Sequence, residues 1–262
     1  MKRNLILIVC IVAMAIGGLS NTVFAADSGS PFSVSLRYWD SALSGYSNYD
    51  PAIPEAEVDT HANIPLWGMT LRYSPTSSLD LLFTGYQGEG NYQQQGVSTF
   101  CDWIATAETK RKDYELMLRH KAFTNKRAYL LYGFRMISWE DTFTEISPTF
   151  VPNALIDNND ITLLQLGSGF STNITDDGRF NLFANIVVGY GEIENERSEG
   201  GVDSSETDDV SSLDLNVGVQ WALTDMVSLD VRYRNFNVGD DGFNFTDTAV
   251  INGVEAGATL SF

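Results

Sequence analysis

Between Pro31 and Phe262 the sequence repeatedly alternates apolar residues with polar or side-chain-free ones over stretches of about ten positions, and no other feature restricts the possible folds so tightly. An extended chain turns successive side chains to opposite faces, so each stretch predicts a strand with one apolar and one polar face. The first sets Phe32, Val34, Leu36 and Tyr38 against Ser33, Ser35, Arg37 and Trp39. In the next three, Trp67, Met69 and Leu71 oppose Gly68, Thr70 and Arg72, Leu79, Leu81 and Phe83 oppose Asp80, Leu82 and Thr84, and Tyr114, Leu116 and Leu118 oppose Asp113, Glu115 and Arg119. Leu130, Tyr132, Phe134 and Met136 then face away from Gly133 and Arg135, and Leu164 and Leu166 from Gln165 and Gly167. After Phe180 to Tyr190 comes the most regular segment, Leu213, Leu215, Val217, Val219 and Trp221 against Ser212, Asp214, Asn216, Gly218 and Gln220. The ninth pairs Val227, Leu229, Val231 and Tyr233 with Ser228, Asp230, Arg232 and Arg234, and the tenth pairs Val254 to Phe262 with Glu255 to Ser261.

The connections alternate in length. Short ones fall near 74–78, 122–127, 171–179 and 222–226, and long ones near 40–63, 87–110, 140–160, 192–209 and 236–247. Acids collect in the long ones: Glu192, Glu194, Glu196, Glu199, Asp203, Glu206, Asp208 and Asp209 share their stretch with a single base, Arg197. Lys121, Lys126, Arg127 and Arg179 sit at short turns, and Tyr38, Trp67, Tyr73, Tyr190, Trp221, Tyr233 and Phe262 gather at segment ends. A soluble sandwich or barrel shares this periodicity, so the decision rests on which row faces out. Segregated acids and aromatic girdles are what a sheet crossing a bilayer requires, with its apolar row in lipid. An unpaired backbone group in hydrocarbon costs several kcal/mol, so the first and last segments should pair. The predicted fold is all-β: a closed antiparallel up-and-down transmembrane β-barrel of about ten strands, with short periplasmic turns and long acidic extracellular loops.

The ends of the chain bear on the compartment. Glu255-x-Gly257-x-x-Leu260-x-Phe262 resembles the C-terminal assembly signal of Gram-negative outer-membrane β-barrels. That resemblance implies the cell outer membrane as location, its lipid and lipopolysaccharide as surroundings, and the barrel-assembly machinery as a partner reached through Gly257, Leu260 and Phe262. Lys2 and Arg3, the apolar run from Leu5 to Ile16 and the small residues of Val23-Phe-Ala25 predict a signal peptide over residues 1–25, removed to leave a single barrel domain over 26–262. Cys10 would leave with it, and Cys101 would remain as a lone thiol, read as a spectator in a loop. The formal charge of −18, more negative still without Lys2 and Arg3, argues against nucleic acid as a partner.

Ten strands enclose a narrow interior. Inward rows carry Arg37, Arg72, Arg119, Arg135, Arg232 and Arg234 together with Asp80, Asp113, Glu115, Asp214, Asp230 and Glu255. Opposite charges compensate one another where water is scarce, so the lumen is expected to be filled by an ion-paired polar network. Asp59-Thr-His61, in the first long connection, resembles the Asp-x-His pair of omptin proteases, but the chain lacks their Asp-x-Asp in any long connection. No serine lies in a nucleophile motif, and the acids of 192–209 lack the spacing of a calcium loop, so no metal or cofactor is assigned. The expected role is a non-enzymatic surface or envelope barrel or a narrow pore. The alternative is an outer-membrane hydrolase, omptin-like or lipid-modifying, with Asp59 and His61 on the extracellular rim.

Overall fold

The computed structural model describes residues 31–44, 57–97, 102–121, 127–147, 155–199, 202–239 and 249–262. Residues 1–25 and Cys101 lie outside the described residues. Ten antiparallel strands follow one another around a closed barrel: β1 (Phe32–Ser44), β2 (Glu57–Thr76), β3 (Leu79–Val97), β4 (Asp102–His120), β5 (Ala128–Ser147), β6 (Leu155–Asn173), β7 (Phe180–Glu199), β8 (Val202–Ala222), β9 (Val227–Gly239) and β10 (Ala249–Ser261). The seam runs from Ser33 opposite Ser261 to Ser44 opposite Val250. Beyond it the Phe262 N–H donates to the Phe32 carbonyl at 3.0 Å. Closure leaves no free edge, which is the condition for a sheet in hydrocarbon.

The outward rows form an apolar belt. Leu36, Trp67, Leu164 and Leu166 are each more than 60% exposed, and Tyr190, Val217, Val231, Val254 and Phe262 are exposed with them. A band of leucine, valine and aromatic side chains around a whole barrel is stable only where its surroundings are apolar too.

The strands do not stop where the belt does. Stretches read from the sequence as long loops continue as strand: β2 begins at Glu57, β5 runs to Ser147, and β7 and β8 remain paired as far as Glu199 opposite Val202. The acidic run 192–209 is therefore mostly a two-stranded ribbon, its acids spread along both strands. What changes above the belt is the polarity of the two faces. On β5 the outward row passes from Leu130, Tyr132, Phe134 and Met136 to Ser138, Glu140 and Thr142, while the buried inward row passes from Arg135 to Ile137, Trp139 and Phe143. Across the barrel, Trp39, Leu43, Ile64, Leu66, Ile161, Leu163, Phe236 and Ile251 are likewise buried on the inside. The lower storey thus has the polarity of a membrane barrel, and the upper storey that of a water-soluble one.

The reversal follows from solvent. In lipid, an inward leucine gains nothing over an outward one, because both surroundings are hydrocarbon. Once the outer face meets water, each fully buried Leu, Ile or Phe contributes about 1.5–3 kcal/mol, and the apolar residues belong inside.

Candidate functional site

The lower storey is built on charge, beginning at the short-turn end. Asp80, wholly buried at the start of β3, lies opposite Arg119 on β4 and accepts from its Nε at 2.7 Å. Arg72 at 3.1 Å, the Ser74 hydroxyl at 2.6 Å and Lys121 at 3.3 Å complete its shell. His120, the other histidine, sits at this end of β4, half-buried and opposite Leu79.

A second cluster lies higher. Glu255 on β10 is wholly buried, and Arg232, directly opposite on β9, donates to it. Arg37 at 2.9 Å and the Tyr86 hydroxyl at 2.9 Å also donate to Glu255. Arg37 reaches Asp230 at 3.0 Å as well, passing over β10 to do so. Two glycines make this possible. A Cβ on Gly68 would lie 2.3 Å from the Tyr86 ring, and one on Gly257 would lie 2.7 Å from an Asp230 carboxylate oxygen. Their bare backbones are where those side chains rest.

A third cluster spans the lumen. Arg135 holds Asp113 through two bonds of 2.9 and 2.6 Å and reaches Asp214 on β8 at 2.9 Å. Arg234 donates to Asp214 and Arg111 to Asp113, the latter at 2.8 Å. The same guanidiniums form the floor of the upper storey. Arg135 lies 3.9 Å from the Phe236 ring centroid, Arg234 5.0 Å from Trp39, and Arg111 between Trp39 and Trp139 at 5.6 and 5.9 Å. Aromatic faces attract cations and tolerate the apolar side above them, so the rings couple the ionic storey to the greasy one.

Glu115 differs from the other inward carboxylates. It lines a chamber at the short-turn end and has no hydrogen-bond or ion-pair partner among the described residues. The chamber measures about 220 Å³, and its wall includes Arg37, Arg72, Arg119, Arg232, Arg234, Asp214 and Asp230.

Above the aromatic floor, and beyond the belt, Asp141 is wholly buried on β5. It accepts from the Tyr92 hydroxyl at 3.0 Å and from Trp139 Nε1 at 3.1 Å. Burial still pushes its carboxyl up to about 6, and Asp157, its opposite number on β6, adds in the same direction. The sequence pattern places Asp141 in the long connection 140–160, with no role assigned.

This architecture occurs in solved structures. The outer membrane protease OmpT from Escherichia coli is 11% identical with a TM-score of 0.57, over 93% of this chain and 99% of that one. The translocator domain of the autotransporter NalP from Neisseria meningitidis is 11% identical with a TM-score of 0.54, over 94% and 92%. The chain has the fold of a Gram-negative outer-membrane β-barrel. With its apolar belt it belongs in that membrane. No family model and no curated protein matches the sequence.

The barrel distributes the remaining candidates unevenly. Arg37, Arg72, Asp80, Glu115, Arg119, Arg135, Asp214, Asp230, Arg232, Arg234 and Glu255 all line or fill the lower lumen. Asp59 and His61 lie on β2, opposite Gln95 and Gln93 on β3, rather than in a loop; their side chains fall outside the described residues. Gly257, Leu260 and Phe262 are in the seam strand or just past it, Leu260 and Phe262 in the belt. Missed by the sequence reading were the apolar upper core and Arg111, a cation buried among rings. A signal for the core was present. Adjacent apolar pairs, Tyr38-Trp39, Leu66-Trp67, Met136-Ile137 and Leu163-Leu164, mark where the apolar row changes face.

Proposed function

We propose that this outer-membrane barrel is a closed, non-enzymatic envelope protein that works through the surface it raises above the membrane, not by conducting through its lumen. The observation that carries the reading is the upper core. Trp39, Trp139, Phe236, Leu66 and Leu163 are each at most 2% exposed inside the barrel. An ion crossing them would lose its hydration with no polar group in return. The extended β7–β8 ribbon, acidic on its exposed faces, is the part offered to the medium. Its charge favours cationic partners and steers their approach.

The C-terminal strand fits a role in assembly, with Leu260 and Phe262 on the lipid side of the seam for the barrel-assembly machinery, and lipopolysaccharide and lipid against the belt. The lumen filling argues against a translocator role of the kind named for the NalP domain. A hydrolase reading, by analogy with the protease OmpT, would use Asp59 and His61, which stand two residues apart on β2.

The test is planar-bilayer recording together with protease and phospholipase assays on one refolded preparation. Silent bilayers and no hydrolysis are expected. Steady unitary current steps would overturn the closed barrel, and hydrolysis abolished by both Asp59→Ala and His61→Ala would replace this reading with the enzymatic one.

A further inference from the structure

We propose that the chamber at the short-turn end of the lumen is a binding site for a small tetrahedral oxyanion of the phosphate class. Charge is the first argument. The chain is strongly acidic as a whole, yet five arginines face three carboxylates across this wall. The ion pairs behind them do not remove the imbalance. Among the described residues of the lower lumen, seven arginines and Lys121 stand against Asp80, Asp113, Glu115, Asp214, Asp230 and Glu255.

Unused donors are the second argument. Arg232 Nε is buried with no hydrogen-bond partner, although the same guanidinium is anchored at its far end by Glu255 and Tyr86. A guanidinium fixed at one edge and left with an unsatisfied donor keeps positive charge available to an anion in the chamber it lines. Arg37 and Arg72 are fixed in the same manner, by Asp230 and Glu255 in one case and Asp80 in the other. Access is the third. The Arg72 side chain is 37% exposed, so the chamber communicates with solvent at the short turns.

Shape selects the class. The cations approach from β1, β2, β4 and β9, with the Ser35 and Thr259 hydroxyls, bonded to each other at 2.7 Å, on the same wall. An anion with oxygens on all sides uses such donors better than a carboxylate, whose two oxygens face one way. Glu115 opposes binding, since it is a like charge on the wall with no close ion pair, neutralised only at longer range by Arg234 and Arg135, and this provides the test.

Calorimetric titration of the refolded protein with inorganic phosphate, at constant ionic strength, is expected to show saturable heat, with acetate giving much less. Glu115→Gln removes a negative charge without breaking an ion pair and should tighten phosphate binding about three- to tenfold. Arg72→Gln, which leaves Asp80 with Arg119 and Lys121, should weaken it by a similar factor. Heat-modifiable migration in gels checks that both variants are folded. Opposite shifts in two folded variants cannot come from general damage. No saturable heat with phosphate, equal binding of acetate, or a Glu115→Gln protein that binds no better would each overturn the assignment. None of these outcomes depends on whether the barrel conducts.

Discussion

Single residues in this barrel are governed by what surrounds them, and Asp141 illustrates this outside the membrane. Its carboxyl is held at about 6, above the ordinary value of 3.8, because burial outweighs the bonds from Thr109, Tyr92 and Trp139. Between those two values the folded chain binds more protons than the unfolded one, so this group's contribution to stability is greatest in acid and falls as pH rises through 6. Asp141→Asn mimics the protonated form. It should raise the thermal midpoint of the detergent-folded protein at pH 8 and change it little at pH 4, as followed by circular dichroism. An equal effect at both pH values would remove the carboxylate from the account. Arg135 is the opposite case, a cation on which two buried carboxylates depend. Arg135→Met leaves Asp113 to Arg111 and Asp214 to Arg234 but removes the cation they share, and a loss of about 3 kcal/mol is expected in urea unfolding from liposomes. Replacing the surface pair of Lys110 and Glu140, 3.1 Å apart and about half exposed, should cost no more than about 1 kcal/mol in the same assay.

At the scale of the strand, the reversal of polarity locates the edge of the membrane. Phe134 and Thr142 share the outward row of β5, one in the belt and one above it. Phe134→Lys should destabilise the barrel by about 2–4 kcal/mol, whereas Thr142→Lys should fall within about 0.5 kcal/mol. Similar costs for the two would mean that lipid does not end between them. The same strand shows what was legible in the sequence. Strand number, and the parity that puts Arg135 inside and Phe134 outside, follow from a period of two, which each segment carries by itself. The upper part of β5 is not legible as strand, because its outward row is apolar only as far as Met136; at Met136-Ile137 the row changes face, and Glu140, Asp141 and Glu145 then have the composition of a loop. Partners were less accessible still. Glu255 and Arg232 are opposite on neighbouring strands, a relation that register can provide. Tyr86 with Glu255, and Arg135 with Asp214, join strands that do not touch. Such contacts depend on barrel diameter and side-chain reach, which no local pattern encodes.

The molecule as a whole is two barrels sharing one set of strands, and each storey closes the lumen by a different means. Below, Arg135 ties β4 and β5 to β8 through Asp113 and Asp214; above, Trp39, Trp139 and Phe236 pack into one apolar core. The rings rest on the guanidiniums, Phe236 on Arg135 and Trp39 on Arg234. Loss of one layer should therefore leave the other as a barrier. Truncating Trp39 and Phe236 to alanine opens apolar space, but such space tends to stay dry, and the ionic bridge beneath remains. Replacing Arg135 alone removes the bridge but not the hydrocarbon above it. Bilayer recordings should accordingly be silent for Trp39→Ala/Phe236→Ala and for Arg135→Ala, and show brief unitary steps only when all three changes are combined in a folded protein. If either partial variant conducted steadily, one storey would be the whole barrier and the other only structural filling. Silence of the triple variant would instead assign the barrier to the remaining core around Leu66, Trp139 and Leu163, the deepest part of which is wholly buried.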